Sequence, residues 1–578
     1  MIGEQPTRIA GVAAAPGIAR ASWVELKRSP LPPARSIAPS EVASETERLR
    51  AAANESALEL MAISDRIADG GHEAESAIFA AHAAIAWDPA LIGDAVARIE
   101  TDHLDATAAM TAAGRLTAER LAMVADALIR ARASDILDVT DRISRRLAGM
   151  PVEEELLAAP AIVVADDLPP SLTATLPRER LLGIALEAGS ATSHAAILAR
   201  AYGIPAVVGA AGLLAALRAA DRDAELAIDG ATGEVVIDPG DEDRARFDSR
   251  AAAIRTERTR DLAEAALDAV TADGTRVTLL ANIGGPDEAP GAAELGAHGV
   301  GLFRTEFLFL ERPSPPSEDE QTDAYRRTVE AFAGEPVTIR LLDVGGDKAI
   351  PYLPLPAEEN PFLGVRALRL AERWPELFVT QLRACYRAAA GGPVKVMAPM
   401  IADARDVATL LELAEQARSG LLAESTPIGD VTLGVMLEIP SAVLTGRRWF
   451  DRIGFASLGT NDLLQYALAV DRGNPALERY RDSLHPALLR LIRLAVEAAE
   501  VARIELSVCG EMAGDPAAAL ALVGLGIRSL SMSAPSLAAV RRAIRAASLD
   551  VLEGEATAAL DDLGADDARA RFTRLLPT

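Results

Sequence analysis

A chain of 578 residues is too long for a single hydrophobic core, so about two to four domains are expected, and two cysteines, Cys385 and Cys509, argue against a disulfide framework. A formal net charge of −26 disfavours nucleic acid and anionic membranes as partners and favours a basic protein partner, so an anionic substrate must be met by a local arginine cluster. No apolar stretch approaches the roughly 20 residues that span a bilayer, and no charged segment leads into an apolar core at the N-terminus, so no membrane insertion and a cytoplasmic location are expected.

Residues 9–19 read as a short strand with a tight turn, and 21–26 as its returning strand, before the proline-rich stretch 29–33 breaks the pattern. From about residue 39 to 147, apolar positions recur at three-and-four spacing, in 53–67, 92–99 and 121–147, which predicts an inserted helical bundle. Strand-like runs at 161–165, 182–186, 206–208 and 226–229 then predict an α/β domain. After Pro239 a charged helix from 241 to about 269 carries few large apolar residues and reads as a connector between domains.

Within the α/β segment, the run Gly189-Ser190-Ala191-Thr192-Ser193-His194 leads into a short amphipathic helix in which Ala195, Leu198, Ala199 and Tyr202 share a face, stopped by Gly203 and Pro205. His194 falls in the first turn. The positive end of the helix dipole disfavours an imidazolium there by up to about 1 kcal/mol, which keeps a lone pair available. If that nitrogen took up a phosphoryl group, the free N–H groups of the first turn would stabilise it. The segment is also compatible with a histidine that merely caps a surface helix.

Beyond Asp273 a regular alternation begins. Apolar strands at 277–283, 299–303, 337–342, 394–400, 433–439, 455–458, 505–508 and 529–532 are separated by helical stretches such as 324–333, 404–416 and 486–502, and eight β/α units fit one closed barrel. At the strand ends stand Asn282, Arg304 with Glu306, Arg340 with Asp343, Glu438, Asn461 with Asp462, and Cys509 with Glu511. Polar groups at the carboxyl ends of most strands match the way barrel enzymes build sites.

Two carboxylates on neighbouring tips, Glu438 and Asp462, suit a hard divalent cation, Mg²⁺ if the substrate is phosphorylated; the alternative is an ion pair with a rim arginine. Arg304, Arg340, Arg366 and Arg472, with Lys348, supply positive charge, and guanidinium forks bind carboxylate and phosphate bidentately. Together they describe a pocket for a small phosphate ester that also carries a carboxylate, although Arg366 also fits an ordinary ion pair. Cys509 suits either a general acid or a small buried hydrophobe, and Cys385, in the helical stretch 377–390, reads as core.

These residues make the chain resemble Enzyme I of the bacterial phosphotransferase system, the phosphoenolpyruvate–protein phosphotransferase family, over nearly its whole length. The most specific stretches are Gly299-Val300-Gly301-Leu302-Phe303-Arg304-Thr305-Glu306-Phe307-Leu308-Phe309, Asp343-Val344-Gly345-Gly346-Asp347-Lys348, Glu359-Asn360-Pro361-Phe362-Leu363-Gly364-Val365-Arg366, Gly459-Thr460-Asn461-Asp462-Leu463-Leu464-Gln465-Tyr466 and Val470-Asp471-Arg472-Gly473-Asn474. The resemblance implies a multidomain α/β chain. A swivelling phosphohistidine α/β domain (1–28 and 148–238) would carry an inserted helical domain that docks the acceptor protein HPr (29–147). A helical linker (239–272) would lead to a TIM-type (β/α)8 barrel that binds phosphoenolpyruvate and dimerises (273–578). It further implies that His194 is phosphorylated, that Glu438 and Asp462 bind Mg²⁺, and that Arg304, Arg340, Asn461 and Arg472 hold phosphoenolpyruvate. Arg366 and Lys348 are similar to further pocket residues, and Cys509 to the cysteine that protonates the enolate of pyruvate.

Three stretches depart from the family pattern. The usual Gly-Gly-Arg-Thr-Ser-His is here Gly189-Ser190-Ala191-Thr192-Ser193-His194, a frequent Leu-Thr-Pro-Ser is Leu168-Pro169-Pro170-Ser171, and Glu-Arg-Ala-Ala-Asp is Ala131-Arg132-Ala133-Ser134-Asp135. They keep open an alternative in which the chain is a regulatory phosphate-accepting paralogue outside sugar-uptake flux. Pyruvate phosphate dikinase and phosphoenolpyruvate synthase share the histidine domain and barrel, but no glycine-rich nucleotide-binding region precedes His194.

Overall fold

The computed structural model describes residues 6–577 apart from 27–29, 70–72, 124–126, 151–156, 158, 169–175, 190–192, 202, 221–223, 311, 313, 346–349, 351, 356–357 and 472–473. The chain divides into two compact units, Met1–Arg258 and Thr259–Thr578. No described helix is long and apolar enough to cross a membrane.

The strands of the first unit are β1 (Thr7–Ala10), β2 (Val12–Ala15), β3 (Ile18–Ala21), β4 (Trp23–Glu25), β5 (Ala161–Ala165), β6 (Leu181–Leu186), β7 (Ala206–Val208), β8 (Leu226–Asp229) and β9 (Glu234–Ile237). The hairpin expected from residues 9–26 does not form. Successive N-terminal strands alternate between two sheets, of order β1-β9-β8-β3 and β2-β7-β6-β5-β4, so each pairs with a remote strand. Glycines permit the steps between sheets: a β-carbon on Gly11 would lie 2.6 Å from the Val207 side chain, and Gly17 has a φ of +136°. An alternation of period two shows which face is buried but not which strand lies alongside.

β5 is buried on both faces, which explains its unbroken apolar run. Val163 faces a core with Ala195, Ala196 and Ala199 of the helix His194–Ala201, while Ile162 and Val164 face a second core with Ile228 and Val235. Between β4 and β5 the helices Val42–Asp69, Glu73–Ala86, Pro89–Thr101, Ala106–Ala122 and Ala127–Leu147 pack around Leu49, Leu60, Phe79, Ile99 and Ile143. Asp88 and Asp105 cap two of these helices by accepting the N–H groups of Ala90 and Ala108 at 2.8 and 3.0 Å.

The expected connector is a helix, Asp241–Glu264, but its ends are anchored. At the start, Phe247 is buried against Ala227 and Val236, and Arg246 grips Glu234 with two contacts of 2.7 Å. Near the end, Asp261 and Glu264 engage Arg542 of the second unit at 2.5 and 3.5 Å. Within this helix, residues 252–260 form a continuous exposed stretch.

In the second unit, β10 (Ala269–Val270) runs antiparallel to the first barrel strand. The barrel strands are β11 (Arg276–Ile283), β12 (Val300–Phe303), β13 (Val337–Arg340), β14 (Val394–Ala398), β15 (Val431–Leu437), β16 (Phe455–Leu458), β17 (Glu505–Val508) and β18 (Ser529–Ser533). All are parallel to their neighbours, and β11 pairs with β18, which closes the barrel. Each strand matches one of the eight apolar runs in the sequence. Leu302, Met397, Met436, Phe455 and Cys509 cluster together as a small core of their own, while the strands and surrounding helices share one large core that includes Cys385.

Candidate active site

The closed parallel register brings the carboxyl ends of the barrel strands to one rim, around a cavity of about 590 Å³. Arg304 follows β12 directly, Arg340 ends β13, Glu438 follows β15 and Cys509 follows β17. Asn461 and Asp462 sit in the first turn of the helix Thr460–Leu468, next after β16. Arg366 arrives from the long connection after β13. All seven side chains line the cavity. Lys348 and Arg472 fall outside the described residues, as do Ser190, Ala191, Thr192, Pro169, Pro170, Ser171 and the side chains of His194 and Ala131. The backbone of His194 opens its helix in the first unit, where Ser193 Oγ accepts the Ala196 N–H at 3.4 Å.

Buried acids hold two of the rim arginines. Arg340 Nη2 donates to Glu306 Oε1 at 2.6 Å, and its Nη1 lies 3.2 Å from Asp343. Arg366 Nη2 donates to both oxygens of Asp343, at 3.0 and 2.9 Å, and to Asp462 at 3.3 Å. The ion-pair reading of Arg366 therefore describes its geometry, although it also faces the cavity. A buried network fixes this corner: Gln381 Nε2 donates to Thr305 Oγ1 at 3.0 Å, Thr305 donates to the Arg340 carbonyl at 2.7 Å, and the Leu342 N–H donates to Gln381 Oε1 at 2.9 Å.

Glu438 is 2 % exposed, and its Oε1 accepts the Met400 N–H at 2.6 Å. Met400 has a φ of +58°, a conformation uncommon for a residue with a side chain, and it aims that N–H at the carboxylate. On the other side, a β-carbon on Gly459 would lie 3.0 Å from Glu438 Oε2, so glycine leaves room there. Burial first, then the negative charges of Asp462 and Asp343, push Glu438 up to about 8. A cation beside it would restore its ionised form. Glu438 and Asp462 thus fit a hard divalent ion, and among the described residues no group of three or more acidic, histidine or cysteine side chains makes a complete metal cage. Two buried carboxylates fit a hard cation such as Mg²⁺, which keeps waters and takes substrate oxygens as further ligands.

Cys509 is buried at the same rim, its Sγ 3.6 Å from the Leu458 carbonyl. Asn282 Nδ2 donates to the Cys509 carbonyl at 3.0 Å, and Ser531 donates to Asn282 Oδ1 at 2.6 Å. Burial pushes the thiol up to about 11, so at neutral pH it holds its proton and can donate it. Gly510 follows, and a β-carbon there would overlap Thr460 Oγ1 and lie 2.7 Å from the Thr460 nitrogen. Gly510→Ala is expected to lower kcat/KM by about 100-fold, because it displaces the turn bearing Asn461 and Asp462 while leaving the barrel folded. Steady-state kinetics alongside circular dichroism check this; unchanged kinetics would show that the turn tolerates the shift.

Arg481 also lines the cavity, and sequence reasoning missed it. It follows the short helical turn Pro475–Tyr480, belongs to no strand tip and sits in no periodic pattern. Glu306 and Glu511 were visible at strand ends but carried no assigned role; the Glu511 N–H donates to Asn461 Oδ1 at 3.0 Å.

The sequence matches the PEP-utilising enzyme family in three segments: its N-terminal region over residues 10–132, its mobile domain over 157–233 and its PEP-binding domain over 258–549. A phosphoenolpyruvate-protein phosphotransferase of Geobacillus stearothermophilus is 38 % identical over 93 % of this chain and 93 % of its own length. One from Streptomyces coelicolor is 40 % identical over 99 % of both chains. A multiphosphoryl transfer protein of Rhodobacter capsulatus is 43 % identical over 84 % of this chain, which spans only 58 % of that longer relative. A solution structure of Enzyme I is 29 % identical and covers 43 % of this chain, with a TM-score of 0.36.

Proposed function

The chain belongs to the PEP-utilising enzymes as a phosphoenolpyruvate–protein phosphotransferase, and on that premise we propose that it moves the phosphoryl group of phosphoenolpyruvate through His194 to a histidine of an HPr-type carrier, releasing pyruvate. The observation that carries this reading is the single cavity in which Arg304, Arg340, Glu438, Asn461, Asp462 and Cys509 meet. Arg304, Arg340 and Asn461, with Arg472, hold the carboxylate and phosphate of the substrate. Glu438 and Asp462 would hold Mg²⁺, which would supply charge neutralisation for the migrating phosphoryl group. The neutral His194 imidazole attacks phosphorus in line, the bond from phosphorus to the enol oxygen breaks, and the arginines stabilise the spreading charge. The Cys509 thiol gives its proton to the methylene carbon of the enolate, forming pyruvate.

Because His194 and the cavity belong to different units, each cycle requires the histidine to reach the barrel rim and then leave it, with residues 252–260 as the pivot. The helical insertion is the docking site for the carrier, the barrel unit mediates a homodimer, and the reaction takes place in the cytoplasm as the first step of the sugar phosphotransferase system. Incubating the purified chain with labelled phosphoenolpyruvate, Mg²⁺ and HPr tests the reading. The expected result is an acid-labile, base-stable label that passes to HPr; a chain that takes no label overturns it. Label held on the chain and refused by HPr would favour the regulatory paralogue.

A further inference from the structure

We propose that Gln381 is a positioning residue for phosphoenolpyruvate, acting through hydrogen bonds that hold Arg304 and Arg340 in register with each other; this rests on the functional reading above. The two arginines stand at the tips of neighbouring strands, yet the backbone does not tie those tips together. The ladder between β12 and β13 shifts register after Val300 and reaches no further than Phe303 with Ile339. Both arginines lie past its last pair.

Side chains take over there. Gln381 lies on the helix Pro375–Ala388 and is wholly buried, as are Thr305 and Tyr325. Its Oε1 accepts the Leu342 N–H at 2.9 Å, and its Nε2 donates to Thr305 Oγ1 at 3.0 Å and to Tyr325 Oη at 3.1 Å. The direction of every bond follows from the first. A backbone N–H can only donate, so the amide oxygen faces Leu342 and the two amide protons face the two hydroxyls. Each hydroxyl, having accepted one proton, gives its own: Thr305 to the Arg340 carbonyl at 2.7 Å, and Tyr325 to Gln321 Oε1 at 3.3 Å. Gln321 Nε2 ends that second branch on the Pro316 carbonyl at 3.0 Å. A hydroxyl that turned away would leave a buried group unpaired, so the network holds one arrangement.

One branch serves the cavity and the other does not. Thr305 stands between Arg304, which lines the cavity, and Glu306, which accepts from Arg340 Nη2 at 2.6 Å. Leu342 stands beside Asp343, which pairs with both Arg340 and Arg366. Gln381 thereby joins the tip of β12 to the tip of β13 and sets the charged groups on both, although it does not itself line the cavity. Tyr325, Gln321 and Pro316, on the second branch, do not line it either.

The test uses the full-length chain with Mg²⁺ and compares the two branches. Thr305→Val and Gln381→Met cut the cavity branch at nearly constant volume, and each is expected to lower kcat/KM for phosphoenolpyruvate in the labelling reaction by about 30- to 100-fold. The double variant should fall no more than about threefold below the worse single, because both residues lie on one path. Thr305→Ser keeps the hydroxyl and should stay within about threefold of wild type, and it decides the case against Thr305→Val if Gln381→Met does not fold. Tyr325→Phe cuts only the second branch, so it should lower the thermal midpoint with kcat/KM within about threefold of wild type. Calorimetric titration with phosphoenolpyruvate reads the same alignment without any transfer. Weaker binding by Thr305→Val and Gln381→Met, with Tyr325→Phe unchanged, supports the inference even where the wild-type chain takes no label. Wild-type kinetics and affinity in Thr305→Val and Gln381→Met overturn it while leaving the transfer reading intact. An equal kinetic loss in Tyr325→Phe, or losses that multiply in the double variant, overturn it as well, since either marks a network that only supports the fold.

Discussion

Replacing His194 by alanine is expected to abolish labelling from phosphoenolpyruvate completely while leaving substrate binding at the barrel intact. In the proposed cycle the histidine is the covalent acceptor, so its loss removes the reaction rather than slowing it. The fold should tolerate the change. The helix His194–Ala201 is tied down by Ala195, Ala196 and Ala199 in the core beneath it and by the Ser193 cap, and alanine is a good helix former. The cavity lies in the other compact unit, so its affinity for phosphoenolpyruvate should match that of the wild type. Autoradiography, mass spectrometry of the labelled peptide and calorimetry check these outcomes. Label remaining on another residue of His194→Ala would refute the assignment.

The second large effect is expected from Glu438→Gln, which keeps the shape but removes the charge. If Glu438 and Asp462 hold the cation as proposed, losing one of the two carboxylates should weaken Mg²⁺ binding and lower kcat/KM by about 10³-fold, the several kcal/mol that a metal contributes to neutralising a migrating phosphoryl group. A pH signature should accompany it. The ordinary carboxyl value is 4.5, and in the fold Glu438 is raised to about 8 by burial and by Asp462 and Asp343. The unfolded chain therefore ionises this group first, and its contribution to stability, fully present below 4.5, is lost as pH rises through about 8. Metal-free Glu438→Gln should accordingly melt higher than metal-free wild type at the top of this window, with the difference closing toward its acid end. In the wild type, Mg²⁺ has to displace the proton, so its affinity should rise with pH across the window. An affinity independent of pH, or a variant that binds Mg²⁺ as the wild type does, would remove Glu438 from the metal site.

Local patterning made much of this molecule legible. The eight barrel strands stood out because strands buried on both sides are largely apolar, and because polar residues at most of their carboxyl ends mark where the chain leaves the core. Arg304, Arg340, Glu438, Asp462 and Cys509 were found in this way, and the structure places them around one cavity. The N-terminal strands carry a hairpin-like pattern but form none, because β1 to β4 each pair with a strand far along the chain. The charged composition of 241–269 marks a connector between domains but not its attachments, a buried Phe247 and a few arginine–carboxylate pairs.

By itself, the sequence determined the closed-barrel class and which residue types end its strands, since both depend on periodicity and on residue type at an element's end. Only the tertiary structure decided which charges meet. Arg340 and Arg366 are engaged by Glu306, Asp343 and Asp462, Met400 turns its N–H onto Glu438, and Arg481 joins the cavity from a loop. Arg366 lies 23 positions from Asp343 and 96 from Asp462, and Met400 lies 38 from Glu438. The physical reason is that a charge is set by its neighbours in space, and closing β11 onto β18 makes neighbours of residues that no local pattern connects.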